Sequence, residues 1–196
     1  MSTTGWVLLI LLIILVVVLV NIFNRLVALK NQFANAFSQI DVQLKRRYDL
    51  IPNLVETAKT YMQHERETLE AVIAARNAAA TGLNQAEATN AADMNQLNRA
   101  ESKLATAMGR FNVVVEQYPD LKADTQMLQL TEELSSTENK VAFARQAYND
   151  SVMSYNTYRQ SFPQNFLASF FGHNQDAQLL EFEDKAEIQS APKVSF

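Results

Sequence analysis

Cysteine is absent from the 196 residues. That single absence excludes disulfides, thiolate zinc sites and cysteine nucleophiles, and it suits a reducing compartment. Glycine and proline are scarce, with 4 of each, and no proline falls between Pro52 and Pro119 or between Pro119 and Pro163. Such a chain has few places to turn, so long helices are expected. A basic patch is also missing. The net charge is −4, and residues 173–196 account for much of it, with two Lys against five acidic groups. Nucleic acid is therefore not an expected partner.

What the chain does have is one long apolar run. From Trp6 through Leu12 to Val20 there is no polar residue, and the stretch closes at Phe23. As a helix, Gly5 to Phe23 is about 28 Å long, close to the thickness of a hydrocarbon core. A cleavable secretory signal would need a basic start, a shorter apolar region and a small-x-small site, whereas MSTTG precedes the run and NIFNRL follows it. The run reads as an uncleaved membrane anchor, residues 1–23. Lys and Arg are absent before it, while Arg25, Lys30 and Lys45-Arg46-Arg47 follow, so the positive-inside rule puts the N-terminus outside and the body in the cytoplasm. No Gly or Ala lies between Trp6 and Val20, which removes the close-approach motif for pairing of membrane helices.

Beyond the anchor, apolar residues recur at steps of three and four. Leu26, Leu29, Phe33, Phe37, Ile40 and Leu44 predict a helix over 24–48. Pro52 either starts a second helix, 52–80, or kinks one longer helix; a start is favoured, with Asp49 as its cap and Lys45-Arg46-Arg47 complementing the end of the first. Residues 81–90 read as a loop. A third stripe (Met94, Leu97, Leu104, Met108, Phe111, Val115, Tyr118) gives a helix over 92–118, and a fourth from Leu130 to Tyr158 gives 124–160. The economical all-α solution is an up-and-down four-helix bundle, 24–160, continuous with the anchor. Its topology returns the end of the fourth helix toward the lipid. There a Phe-rich segment, 161–172, precedes an acidic tail, 173–196, which reads as extended or disordered.

Few residues offer chemistry. His64-Glu65-Arg66-Glu67-Thr68 begins like a helical zinc-protease motif, but Thr68 stands where the second histidine belongs. Neither His64 nor His173 has a Glu three residues before it, so di-iron bundle pairs are missing, and a carboxylate-only metal site is the weaker metal reading. No cofactor is expected. Arg76 and Glu101 fall in otherwise apolar stripes on neighbouring helices, and they are the candidate buried polar pair, set against an ordinary position at the solvent edge. Tyr148, Tyr155 and Tyr158 read as core lining. Phe162, Phe166, Leu167, Phe170 and Phe171 crowd large apolar surface outside the bundle and form the candidate interaction segment. Their own helices, the membrane interface and a neighbouring protomer are the three possible covers.

ALKNQFANAFSQIDVQLKRRYDLIPNLVETAKTY (28–61), HERETLEAVIAARNAA (64–79), AESKLATAMGRFNVVVEQYPDLKA (100–123), ENKVAFARQAYNDSVMSYN (138–156) and FPQNFLASFFG (162–172) together resemble the LemA family of bacterial membrane proteins. The QIDVQLKRRYDLIPNLV block is the most specific part, and Phe37 departs from the Trp expected there. The resemblance implies an N-out anchor, a helical-bundle body and a bacterial origin, hence an inner-membrane location with the body in the cytoplasm, and it supplies no established catalytic residues. It also implies neighbours among membrane proteases and other envelope proteins. Function is accordingly expected to be non-enzymatic: a self-assembling, homo-oligomeric membrane scaffold, with an accessory subunit of a membrane protease or other envelope protein as the alternative.

Overall fold

A computed structural model describes residues 3–181 of the chain, so the part of the acidic tail beyond Glu181 lies outside the described residues. It contains six helices and, among those residues, no strand: α1 (Thr3–Lys59), α2 (Arg66–Gln85), α3 (Ala91–Val115), α4 (Pro119–Ala123), α5 (Thr125–Gln160) and α6 (Gln164–Leu167). Four of these are long. Among the described residues, α1 alone is long and apolar enough to cross a membrane. Its side chains from Trp6 to Val18 stand exposed all round, and burial begins at Ile22 and Leu26. The apolar span and the first core helix are thus one element, whose inner stripe runs without a break through Leu29, Phe33, Ile40, Leu44, Tyr48, Ile51, Val55 and Ala58.

The favoured boundary at Pro52 is not there, and the alternative of one longer helix holds. Pro52 lies inside α1, and Asp49 caps nothing. A proline in a helix interior lacks the N–H that would bond the carbonyl four residues earlier, which here is Tyr48. Arg76 supplies the missing donor: its Nε bonds the Tyr48 carbonyl at 2.8 Å. The second helix accordingly begins at Arg66, after a turn that includes His64 and Glu65. It also ends later than expected, at Gln85, with Gly82 buried inside the helix rather than stopping it. Gly82 is buried against α3, where a Cβ would lie 3.4 Å from the Leu97 Cα, at ordinary van der Waals contact.

Cross-contacts fix the directions. Phe33 meets Tyr155, Phe37 meets Tyr148, and Arg46 meets Glu133, so α5 runs antiparallel to α1. Gln85 bonds Gln96 next to the short turn between α2 and α3, which pack side by side, and α2 also lies against the upper part of α1. The ends are capped by side chains: Asn90 accepts from the Ala92 and Asp93 amides, and Asp124 accepts from Met127. Pro119 occupies the first turn of α4, where its missing donor costs nothing. One core joins all four long helices, with Tyr48, Phe111, Leu104 and Tyr148 among its largest fully buried side chains.

Of the two forms expected past Gly172, the described residues take the extended one, fixed on the helices. Gly172 takes φ +79°, a conformation that favours glycine, and turns the backbone back along the helices. Residues 173–181 then form an extended strap held at both α3 and α5. Asn156 bonds both the N–H and the C=O of Ala177, at 2.9 and 2.8 Å. Asn149 does the same for Leu180, at 2.9 and 3.1 Å. From α3, Asn98 donates to the Leu179 carbonyl and accepts from the Glu181 amide. Ala177 and Leu180 are buried by this arrangement and belong to the core.

Candidate functional site

Glu101 is the most deeply buried charged residue described, 2% exposed. One carboxylate oxygen accepts from the Arg47 guanidinium and the other from the Tyr48 hydroxyl, so both are committed within the fold. Burial first, and then the charge of Glu101, raises the Tyr48 hydroxyl far above its ordinary pKa, and it stays a donor at any working pH. The two halves of the candidate pair have separate partners. Arg76 reaches the Tyr48 carbonyl and, at 3.5 Å, Asp49, whereas Glu101 is met by Arg47 and Tyr48. Tyr48 stands between them and touches both.

Arg47 and Tyr48 were the residues hidden from sequence reasoning. Lys45-Arg46-Arg47 does not complement a helix end as expected, because α1 continues past it, and the three side chains diverge to Asp41, Glu133 and Glu101. The available signal was Tyr48, which continues the inner stripe and carries Arg47 to the edge of the seam. Beside this cluster a cleft of about 260 Å³ opens, with Arg47, Glu101, Leu104, Met108, Glu138 and Arg145 in its wall. Chemically the arrangement is a buried ion pair and hydrogen bond that join α1 to α3, with the Arg47 Nε buried and left without a hydrogen-bond partner. Among the described residues no group of three or more His, Asp or Glu side chains is placed to hold a metal ion. His64 is exposed in a turn, away from any helical ligand face.

The Phe-rich segment divides in two. Phe171 turns inward against Phe23 of α1, ring centroids 5.3 Å apart, and Leu167 is half-buried on the core. Phe162, Phe166 and Phe170 face out, at 79%, 66% and 87% exposure. Immediately after them His173 is buried, its Nδ1 3.0 Å from the Tyr155 hydroxyl. Burial, then Lys30 and Arg159, lower its pKa from the usual histidine range. Arg159 also holds Asp176 at 2.6 Å, tying the strap to the end of α5.

The profile of the LemA family matches residues 36–196. The chain belongs to the LemA family. Protein LemA of Metamycoplasma hominis is 28% identical to it over 147 residues, which is 74% of this chain and 63% of that protein. Two magnetosome proteins of Paramagnetospirillum magneticum, MamQ 2 and MamQ 1, are each 32% identical over 73 residues, 37% of this chain and 27% of theirs. The chain therefore spans less than two thirds of the length of these relatives. The LemA match contains Arg47, Tyr48, Pro52, Arg76 and Glu101, together with the Phe segment and strap. The apolar span and the rest of the first 35 residues precede it, so the anchor rests on its own length and composition.

Proposed function

We propose that this LemA-family chain is a non-enzymatic, membrane-anchored scaffold whose cytoplasm-facing body, an antiparallel four-helix bundle, associates side by side with copies of itself. The observation that carries this reading is a groove on the flank shared by α1 and α5. Phe143, 74% exposed, and Val42 stand on its walls, and Gln43 beside them has a buried Oε1 with no hydrogen-bond partner. A large exposed aromatic next to an unsatisfied acceptor is an incomplete surface. A second copy is the favoured occupant because the anchor confines all copies to one plane in one orientation. Their flanks then meet at a high effective concentration.

The buried charges support the same reading from the inside. Glu101, Arg47 and Arg76 all bond within the body, so the polar groups set helix register while the apolar ones are left for contact. Light scattering of the purified full chain in mild detergent should give a mass of several protomers, and electron microscopy should give a defined particle. Phe143→Glu should shift the mass downward with helicity unchanged. A monomer at every accessible concentration would falsify the scaffold reading. A single foreign band after crosslinking from the Phe143 position would instead favour an accessory subunit of a membrane protease or other envelope protein.

A further inference from the structure

We infer that Phe162, Phe166 and Phe170 form a second membrane contact, a lipid-facing wedge that docks the base of the body onto the bilayer interface. Depth carries the argument. Trp6 and Phe23 bracket the apolar span, and 17 residues of helix separate them by about 26 Å, close to the thickness of a hydrocarbon core. Phe23 therefore stands at the cytoplasmic lipid–water boundary, where aromatic rings concentrate. Phe171 is packed edge-on against Phe23, so the Phe segment is held at that same level.

The direction of the rings follows from what lies on either side. Ala168 and Leu167 turn toward the core, and Phe171 toward the anchor, which leaves the other three phenylalanines on the outer surface. Phe162 and Phe166 stack edge to face with centroids 6.1 Å apart and present one continuous apolar surface rather than scattered rings. Phe171, in the same segment, ties that surface to Phe23 at the end of the exposed apolar span, so the same lipid can cover both. Arg25 and Lys30 lie within two turns of Phe23, at the height of the phosphates of anionic headgroups. The Val42–Phe143 groove lies further along α1, about 28 Å beyond Phe23, and is the site for protein rather than lipid.

This inference rests on the anchored reading of the span, which resistance of the full chain to alkaline carbonate extraction tests separately. The chain has one tryptophan, so Trp6→Phe gives a silent background. In it, Phe166→Trp, Phe170→Trp and, as a control, Phe143→Trp are reconstituted into phosphatidylcholine–phosphatidylglycerol vesicles. Circular dichroism establishes that each variant keeps its helicity. Lipids brominated on the acyl chain near the headgroup should remove most of the emission of the first two variants and leave Phe143→Trp bright. The inference is overturned if emission at positions 166 and 170 is untouched by bromolipid and quenched by aqueous acrylamide. It is equally overturned if that emission is shielded from both quenchers and changes with the protein-to-lipid ratio, because a neighbouring copy then covers the rings.

Discussion

At the scale of single residues, the most instructive relation is between Pro52 and Arg76. Proline within a helix leaves a carbonyl without its donor, and the Arg76 guanidinium fills that vacancy from the neighbouring helix. Removing Arg76 should therefore cost more when Pro52 is present. Arg76→Ala is expected to destabilise the body by about 1–3 kcal/mol, the range for a donor lost from a poorly solvated acceptor. In a Pro52→Ala background, where the N–H is restored, it should cost clearly less. Urea unfolding followed by helical circular dichroism measures all four corners of the cycle, and equal costs in both backgrounds would sink the assignment. Glu101→Gln acts differently, since it leaves Arg47, 12% exposed at its side chain, without a counter-charge. A broken buried pair of this kind costs about 3–5 kcal/mol. Tyr48→Phe, which removes one neutral donor, should fall well below that on the same urea axis.

At the scale of elements, the helices were legible because their inner faces repeat at three and four residues, and α3 and α5 begin and end within a few residues of the expected positions. The first boundary was misplaced for a physical reason. Proline carries a local penalty that sequence alone registers, while the donor that offsets it comes from a residue 24 positions away. The periodicity itself held the answer, since Leu44, Tyr48, Ile51 and Val55 keep one phase straight through Pro52. The strap was illegible for the opposite reason. Its composition resembles a disordered tail, and its order comes from asparagines on α3 and α5 that read only as surface polar residues. Asn156→Ala removes both bonds to Ala177, and amide exchange at Ala177 and its neighbours should accelerate while the α1 core stays protected. Acid should loosen the same strap. The proton affinity of His173 is lowered in the fold by burial, Lys30 and Arg159, so the unfolded strap binds the proton first as pH falls. Its stability is full above the ordinary histidine pKa of about 6.5 and declines as pH drops through the lowered folded value. Exchange at the strap, corrected for intrinsic rates, should therefore be faster at pH 5 than at pH 7.5, and His173→Gln should flatten the difference.

At the scale of the whole molecule, the unbroken α1 joins the candidate membrane span to the body. Its 57 residues extend about 86 Å, so the tilt of the span sets the tilt of the body, with no hinge between them. A body so rigidly connected can lie on one side of the membrane only, and which side depends on charge. Basic residues occur only after the span, at Arg25, Lys30 and the Lys45-Arg46-Arg47 cluster, and the body-side flank should stay in the cytoplasm. The absence of cysteine makes the test clean, because any introduced thiol is the only one present. Ser135 lies on the exposed face of α5, and Ser135→Cys should leave packing undisturbed. A membrane-impermeant maleimide should label it in inverted inner-membrane vesicles and not in intact spheroplasts. Labelling in intact spheroplasts would place the body outside, and the lateral association and lipid wedge would then act on the opposite face of the membrane.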